Sequence, residues 1–152
     1  MTSGAVDIIR LLPPTTKLAC DTFAVMALVF GEPQPQPDEE YVAELLARED
    51  FWSYAALADN VPVGGLTAHL LPLTRVRASE LFVYDVAVRE DWQRHGVGSA
   101  LIERLLADGG AAGVEEMWVP ADNDDVHALD FYRRTGGTAE PVTIFTYSTR
   151  PR

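Results

Sequence analysis

Apolar residues in the first half of the chain cluster in short runs that are bounded by turn-forming residues. Runs of roughly four to eight residues of this kind are typical of strands. Three of them predict strands, at Val6 to Leu11, Phe51 to Ala58 and Val63 to Leu71. The Asp59-Asn60 pair between the second and the third supplies the residues that a tight turn needs, so these two strands are expected to form a hairpin.

Two helices are predicted between the first strand and the hairpin. The first begins at Thr15 or Thr16, runs to about Phe30 and is ended by a glycine. The second is capped by Asp38 and extends to about Arg48. The segment between the helices has prolines at alternate positions, which favours an extended loop. Because this loop joins two helices, it is not interpreted as a domain boundary.

The second half of the chain alternates strands with helices. The nearly apolar run Leu81 to Val88 predicts a central strand that is buried on both faces. A glycine turn, an amphipathic helix, a short strand, a second helix and a last strand follow. These are predicted at Gln93 to Gly98, Ser99 to about Asp108, Glu116 to Val119, Val126 to Thr135 and Val142 to Tyr147. The order predicts one domain, residues 1–152, of the α+β or mixed α/β class.

Charge and cysteine content narrow the function classes. The 152 residues carry 12 basic and 23 acidic side chains, a net charge of −11, which repels nucleic acid and anionic membranes and attracts cations. That charge is explained equally well by simple solubility. No apolar run is long enough to span a bilayer. The single cysteine, Cys20, excludes an intramolecular disulfide and fits a cytoplasmic protein.

The glycine turn is the strongest local signal for binding. It lies between an apolar strand and an amphipathic helix, where glycines free backbone N–H groups and the helix dipole adds positive potential. Such a turn favours a phosphate or diphosphate ligand. It lacks the lysine of a Walker A sequence and the three glycines of the dinucleotide fingerprint. The predicted anion cradle comprises Gln93, Arg94, His95, Gly96, Val97, Gly98 and Ser99.

Asp85 is the one charged residue inside the apolar strand. A buried carboxylate is costly unless it is paired or lines a cleft, so Asp85 is interpreted as a general base, as an anchor for a substrate ammonium, or as a brace for a loop. Burial would raise its pKa toward that of a useful base. Alternation along a strand places Asp85 on the face opposite Tyr84. Glu80, at the strand entrance, is the second candidate base and could act through a water.

Two further groups of residues bear on the substrate. Four aspartates cluster at the start of the last helix, where they are solvated caps or a site for a polycationic substrate. They are Asp122, Asp124, Asp125 and Asp130. The three tryptophans are dispersed and are interpreted as core or helix packing; they are Trp52, Trp92 and Trp118.

Two segments resemble the motifs of the GNAT acetyltransferase superfamily. Val86 to Ile102 is similar to its acetyl-CoA motif, a strand followed by Gln/Arg-x-x-Gly-x-Gly/Ala at a helix start. Ala128 to Gly136 resembles its tyrosine-bearing helix, with Asp125 where many members have asparagine. Nearly the whole chain resembles the class I aminoglycoside 3-N-acetyltransferases. The run from Tyr84 to Val88 is the most diagnostic part of that likeness.

The resemblance implies a GNAT fold, with a mostly antiparallel twisted sheet of about six to seven strands flanked by about four helices. It implies acetyl-CoA as acyl donor, no metal, and the predicted anion cradle as the diphosphate site. Tyr132 would protonate the leaving thiolate. Backbone N–H groups from a bulged strand would polarise the acetyl carbonyl, at Val86, Ala87 and Val88. Further cofactor or acceptor contacts are expected from Tyr84, Asp85, Asp122, Asn123 and Asp125.

The implied reaction is direct attack of an aminoglycoside amine, the 3-amino group of 2-deoxystreptamine, on acetyl-CoA in a ternary complex, which gives antibiotic resistance. A polyamine, a small amine or a protein lysine is the alternative acceptor. A non-catalytic acyl-CoA sensor on the same scaffold is the alternative to an enzyme. A cytoplasmic protein, possibly a homodimer, with no nucleic-acid or membrane partner is expected.

Overall fold

The computed structural model describes residues 5–32 and 36–151. Positions 33–35, part of the predicted proline-rich loop, lie outside the described residues. The chain divides into two compact units, one that ends at Pro120 and one that begins at Ala121.

The first unit is built on a five-stranded sheet. Its strands, in spatial order, are β1 (Asp7–Arg10), β2 (Phe51–Ala58), β3 (Val61–Pro72), β4 (Ser79–Val88) and β5 (Met117–Trp118). The first four are antiparallel, and β5 runs parallel to β4. Three helices belong to this unit, α1 (Thr16–Val29), α2 (Glu39–Leu46) and α3 (Val97–Ala111), and the second unit contains α4 (Val126–Arg134). The predicted mixed, mostly antiparallel α+β fold is confirmed.

Local signals in the sequence explain several element boundaries. Asp59 and Asn60 have φ of +50° and +65°, the left-handed conformation of a two-residue hairpin turn, and they join β2 to β3 as predicted. Asp38 caps α2, since its Oδ1 accepts a hydrogen bond of 2.9 Å from the Tyr41 N–H. A helical turn at Pro13–Thr15 leads into α1, which therefore starts at Thr16.

Helices α1 and α2 share a buried cluster with the sheet. Its members are Leu11, Ala19, Val42, Leu46, Phe51, Ala55 and Leu57. Gly65 lets α1 approach β3 closely, because a Cβ there would lie 2.7 Å from both Met26 Sδ and Thr22 Cγ2. This contact fixes α1 against the strand that pairs with β4.

Helix α3 is anchored by its own buried residues and by a polar network. Leu101, Ile102 and Leu105 are at most 3 % exposed. The Tyr54 hydroxyl donates to Asp108 at 2.7 Å, and Arg104 donates to the same carboxylate at 3.1 Å. Burial and the Asp108 carboxylate raise the pKa of Tyr54. The network ties the C-terminal half of α3 to β2 and, through the bond from Arg104 to the Ile8 carbonyl, to β1.

Two predictions about strands are wrong in detail. Residues 142–147 pair with no strand in the described part of the chain, and their apolar side chains stay in solvent, with Val142 72 % and Tyr147 85 % exposed. Alternation alone does not supply a hydrogen-bonding partner. Strand β4 is also not buried on both faces, because Tyr84 is 63 % exposed. Within the described ranges, no helix is long and apolar enough to cross a membrane.

Candidate functional site

The glycine turn opens α3 with unpaired amides. Gly96, at φ +79°, is the residue before the helix, and the first helical hydrogen bond runs from Ala100 N–H to Gly96 C=O at 3.0 Å. The amides ahead of that bond have no partner within the helix; they belong to Val97, Gly98 and Ser99. No described side chain caps them. Their N–H groups and the helix dipole form a positive, anion-binding end.

Side chains of the turn hold its shape. Gln93 Nε2 donates to the Val88 carbonyl at 2.9 Å, and His95 Nδ1 lies 2.9 Å from the Gln93 carbonyl. Arg94 takes φ +67° and is exposed. Of the predicted cofactor residues, Gln93 and His95 therefore brace the turn, while Arg94 is left at the surface beside the amides of α3.

A bulge interrupts the pairing of β4 with β3. Thr67 faces Asp85 and Ala68 faces Val83, so Tyr84 is the extra residue. Residues directly opposite in an antiparallel pair point to the same face, so Asp85 shares a face with Thr67. The Tyr84 ring packs 5.9 Å from that of His69, which lies on this same face two residues after Thr67. The expectation that Asp85 and Tyr84 lie on opposite faces is therefore wrong, because the bulge breaks the alternation.

Beyond the bulge, alternate amides of β4 turn away from the sheet. Arg89 N–H donates to Val63 C=O at 2.8 Å, which fixes the alternation of this ladder and directs the Ala87 amide toward β3. The amides of Val86 and Val88 then point to the opposite side. Strand β5 ends at Trp118, opposite Phe82, so no described strand pairs with β4 there. Two of the three predicted backbone donors are thus directed outward.

Asp85 lies half-buried beside these outward amides. Burial raises the pKa of Asp85, the Thr67 hydroxyl lowers it, and the nearby Glu32 carboxylate raises it. Thr67 Oγ1 donates to Asp85 Oδ2 over a long 3.5 Å. Thr67 was not predicted from the sequence; its signal is that it and His69 are the polar side chains inside an otherwise apolar strand. A carboxyl group with a raised pKa is a better proton acceptor than an ordinary aspartate.

Glu80 is on the same face of β4 but at its far end. It pairs with Leu71, and Phe82, two residues on, pairs with His69. At ~3.3 Å per residue, Glu80 lies about 15 Å from Asp85 along the strand. The two candidate bases therefore cannot act on the same amine.

The second unit carries the remaining predicted residues. Asp125 caps α4, its Oδ1 accepting from Ala128 N–H at 3.0 Å, and Asp122 Oδ1 accepts from Asp124 N–H at 2.8 Å. Asn123 is exposed. Of the four aspartates clustered near the start of this helix, Asp125 is the N-cap. One oxygen each of Asp122 and Asp125 is thus engaged within the loop.

Tyr132 lies on α4 and is half-buried. Its ring is 5.0 Å from that of Phe131 in an edge-to-face contact. Its carbonyl accepts from Gly137 N–H at 2.9 Å, where the chain leaves the helix through Gly136 at φ +105°. These bonds fix the end of the helix from which the tyrosine projects.

Metal chemistry has no candidate ligand set in the described ranges, where no group of three or more His, Cys, Asp or Glu side chains could hold an ion. In the first unit, the candidate functional site therefore consists of main-chain donors at α3 and β4 and one half-buried carboxylate. The second unit carries Tyr132 on α4.

Comparison with known proteins identifies the scaffold. Residues 16–137 match the model of the acetyltransferase (GNAT) family. An aminoglycoside acetyltransferase from an uncultured soil metagenomic sample, crystallised in complex with sisomicin, is 33% identical, with a TM-score of 0.90 over 96% of this chain and 97% of that chain. A second aminoglycoside acetyltransferase of soil metagenomic origin is 30% identical, with a TM-score of 0.91 over 96% and 99% of the two chains.

A curated relative matches over a shorter stretch. The ribosomal protein bS18-alanine N-acetyltransferase of Escherichia coli (strain K12) is 31% identical over 64 residues, which are 42% of this chain and 43% of that protein. The match therefore spans less than half of the relative's length. Aminoglycoside N-acetyltransferase AAC(6')-Iy, solved in complex with CoA, is 17% identical, with a TM-score of 0.81 over 98% of both chains, and shares the fold.

Proposed function

Because the chain belongs to the GNAT acetyltransferase family, it is an acetyl-CoA-dependent N-acetyltransferase, and we propose that its acceptor is an aminoglycoside. The attacked group is the 3-amino group of the 2-deoxystreptamine ring, and the product is an inactivated antibiotic. The observation that carries the proposal is the 33% identity, over nearly the full length of both chains, to an acetyltransferase crystallised with sisomicin. The net charge of −11 favours such a polycationic acceptor.

The end of α3 fits the diphosphate of the donor. Three main-chain amides precede the first helical hydrogen bond, and a Cβ on Gly96 would meet nothing within 4 Å, so the approach to them is open. We assign the diphosphate to Val97, Gly98 and Ser99, with Arg94 adding charge nearby. Bound acetyl-CoA supplies an activated acetyl group as a thioester.

The outward amides of Val86 and Val88 are the donors for the acetyl carbonyl. Main-chain donors aimed at an oxygen that gains negative charge lower the barrier without rearrangement. Asp85 follows the same bulge, directly before Val86, and holds the acceptor ammonium or takes its proton. Its raised pKa favours the second role. The amine attacks the thioester carbonyl directly while both substrates are bound. Tyr132 donates a proton to the departing thiolate sulfur.

The proposed reaction takes place in the cytoplasm, the compartment that the single cysteine favours. The acceptor is a small molecule in this proposal, so no nucleic acid or membrane takes part in the reaction. A homodimer is compatible with it.

A thiol-release assay tests the acceptor. Purified protein with acetyl-CoA is expected to release CoA in the presence of sisomicin or gentamicin, and NMR of the product is expected to show acetylation at the 3-amino group. An aminoglycoside panel without turnover, from protein that binds acetyl-CoA, would refute the proposal. Acetylation at another amine would refute only the regiochemistry.

The second candidate acceptor is a peptide with an N-terminal alanine. It is favoured by the 31% identity to the bS18-alanine enzyme, although that match covers 64 residues. An alanine-terminated peptide and spermidine belong in the same assay. Turnover of either at a higher kcat/KM than any aminoglycoside would replace the proposed acceptor.

A further inference from the structure

Six rings follow one another across one face of the sheet, from the core to the surface. The series begins at Phe23 and Phe51, which pack edge to face with centroids 6.5 Å apart, and continues through His69, Tyr84, Phe82 and Trp118. The last two rings are stacked in parallel, 4.4 Å apart. We call the four outer members, His69, Phe82, Tyr84 and Trp118, the aromatic face.

The aromatic face is open where the core rings are not. Phe51 is 8 % exposed, whereas Tyr84 is 63 % and Trp118 is 42 % exposed. Cross-strand ring pairs stabilise sheets when they are buried between neighbours. Tyr84 is the extra residue of the bulge and has no directly opposite partner on β3. Sheet stability alone therefore does not account for its exposed ring.

Carboxylates flank the aromatic face at both ends. Glu80 precedes Phe82 on this side of β4, and Asp85 follows Tyr84. The four residues between the two carboxylates are apolar or aromatic, and none has a basic side chain. At ~3.3 Å per residue, the carboxylates are about 15 Å apart. This arrangement complements an extended ligand that has an apolar ring face and cationic groups toward its two ends.

We propose that the aromatic face is a stacking subsite for one sugar ring of an aminoglycoside, with ammonium groups on different rings of that ligand held by Asp85 and Glu80. The inference rests on the proposed function and names the surface that would select ring-bearing acceptors. Aromatic rings offer apolar area to the C–H face of a sugar and attract ammonium groups to their π surface. A linear polyamine has charges but no ring face to stack, so this surface discriminates between the two acceptor classes.

Calorimetric titration in the presence of CoA tests the subsite. Tyr84→Leu and Trp118→Leu are each expected to raise the Kd for sisomicin about five- to tenfold and to change the Kd for spermidine less than twofold. Trp118→Phe keeps a ring and is expected to restore most of the affinity. Tyr41→Leu, which removes an exposed aromatic of α2, is the matched control and is expected to change neither value.

Each other outcome contradicts the subsite. Equal losses for sisomicin and spermidine would indicate a structural or purely electrostatic role, and unchanged affinities would remove the aromatic face from binding. Absence of aminoglycoside binding by the wild-type protein would also remove the aromatic face from binding. Thermal unfolding of each variant separates loss of the fold from loss of affinity, and Trp118→Phe keeps the test valid if Trp118→Leu unfolds. Sisomicin binding that depends on the rings, without turnover, would support the subsite and refute only the proposed reaction.

Discussion

The groups proposed to bind ligands at the start of α3 and on the aromatic face differ in kind. At α3 the donors are backbone amides of Val97 to Ser99, which any sequence compatible with the turn would present. On the aromatic face the groups are side chains from β3, β4 and β5, flanked by two carboxylates of β4, and the bulge sets the positions of Tyr84 and Asp85. In the proposed function, the first region binds the acetyl donor and the second binds the acceptor.

This difference predicts which substitutions should alter cofactor binding and which should alter acceptor binding. Main-chain donors are insensitive to most side-chain changes and respond mainly to added charge or to distortion of the turn. Side-chain groups respond to single substitutions and alter one substrate class at a time. Variants in the two regions are therefore expected to separate cofactor binding from acceptor binding.

Tyr132→Phe should have the largest effect, because it removes the proposed proton donor while preserving the ring. We expect kcat to fall about 10²- to 10³-fold, with the Kd values for CoA and acceptor within twofold of wild type. Stopped-flow or thiol-release kinetics and calorimetry measure the two quantities. Unchanged turnover would remove Tyr132 from catalysis, and weakened CoA binding would reassign it to the cofactor.

Asp85→Asn tests the proposed role of the Asp85 carboxylate toward the acceptor amine. We expect kcat/KM for the aminoglycoside to fall about 100-fold, with the Kd for CoA unchanged. A fall confined to KM would identify an anchor, and a fall in kcat at saturating acceptor would identify a base. Glu80→Gln, at the other end of the aromatic face, is the matched control, and its loss should be smaller and limited to KM. A larger loss for Glu80→Gln would exchange the two roles.

Ser99→Glu tests the cofactor side. A carboxylate in the first turn favours the helix dipole but repels a diphosphate, so stability should hold or rise while the Kd for CoA rises about 10- to 30-fold. Ser99→Gln has the same shape without charge and should change the Kd less than threefold. Sisomicin affinity should be unaltered in both. Equal effects of Glu and Gln would mean that shape, not charge, governs this site.

The smallest expected effect is on stability. Burial raises the pKa of Asp85 above its ordinary 3.8, so the folded chain holds that proton more tightly than the unfolded chain. Ionisation of Asp85 therefore lowers stability as pH rises from 3.8 through the raised pKa. Asp85→Asn should raise Tm by about 1–2 °C at pH 7 and leave it unchanged near pH 3.

The pKa of a surface aspartate, Asp50, is shifted in the opposite direction. The Arg48 guanidinium lowers the pKa of Asp50, so Asp50→Asn should not raise Tm at pH 7. Calorimetric scans at both pH values measure these differences. A larger gain in Tm over wild type for Asp85→Asn at pH 3 than at pH 7 would contradict the burial argument.

Local signals explain why the glycine turn and α3 were predictable from the sequence. Glycines and a 3.6-residue apolar period mark the turn and α3 within a few residues of each other. The Asp59-Asn60 hairpin and the Asp38 cap were predictable for the same reason, since each depends on neighbours in sequence.

Non-local pairing explains what the sequence did not reveal. Nothing within the run from Leu81 to Val88 marks Tyr84 as the unpaired residue, because the bulge is set by the register with β3. The same holds for Trp118, which was interpreted as packing but lies half-exposed at the sheet edge next to Phe82. Residues 142–147 have the alternation of a strand, yet alternation specifies a face and not a partner.

NMR of ¹⁵N-labelled protein tests whether the amides at the start of α3 hold the diphosphate of CoA. Titration with CoA should shift the Val97, Gly98 and Ser99 amides strongly, whereas pantetheine, which lacks the diphosphate, should leave them nearly unchanged. Binding of CoA with those three amides unmoved, or equal shifts with pantetheine, would contradict the account.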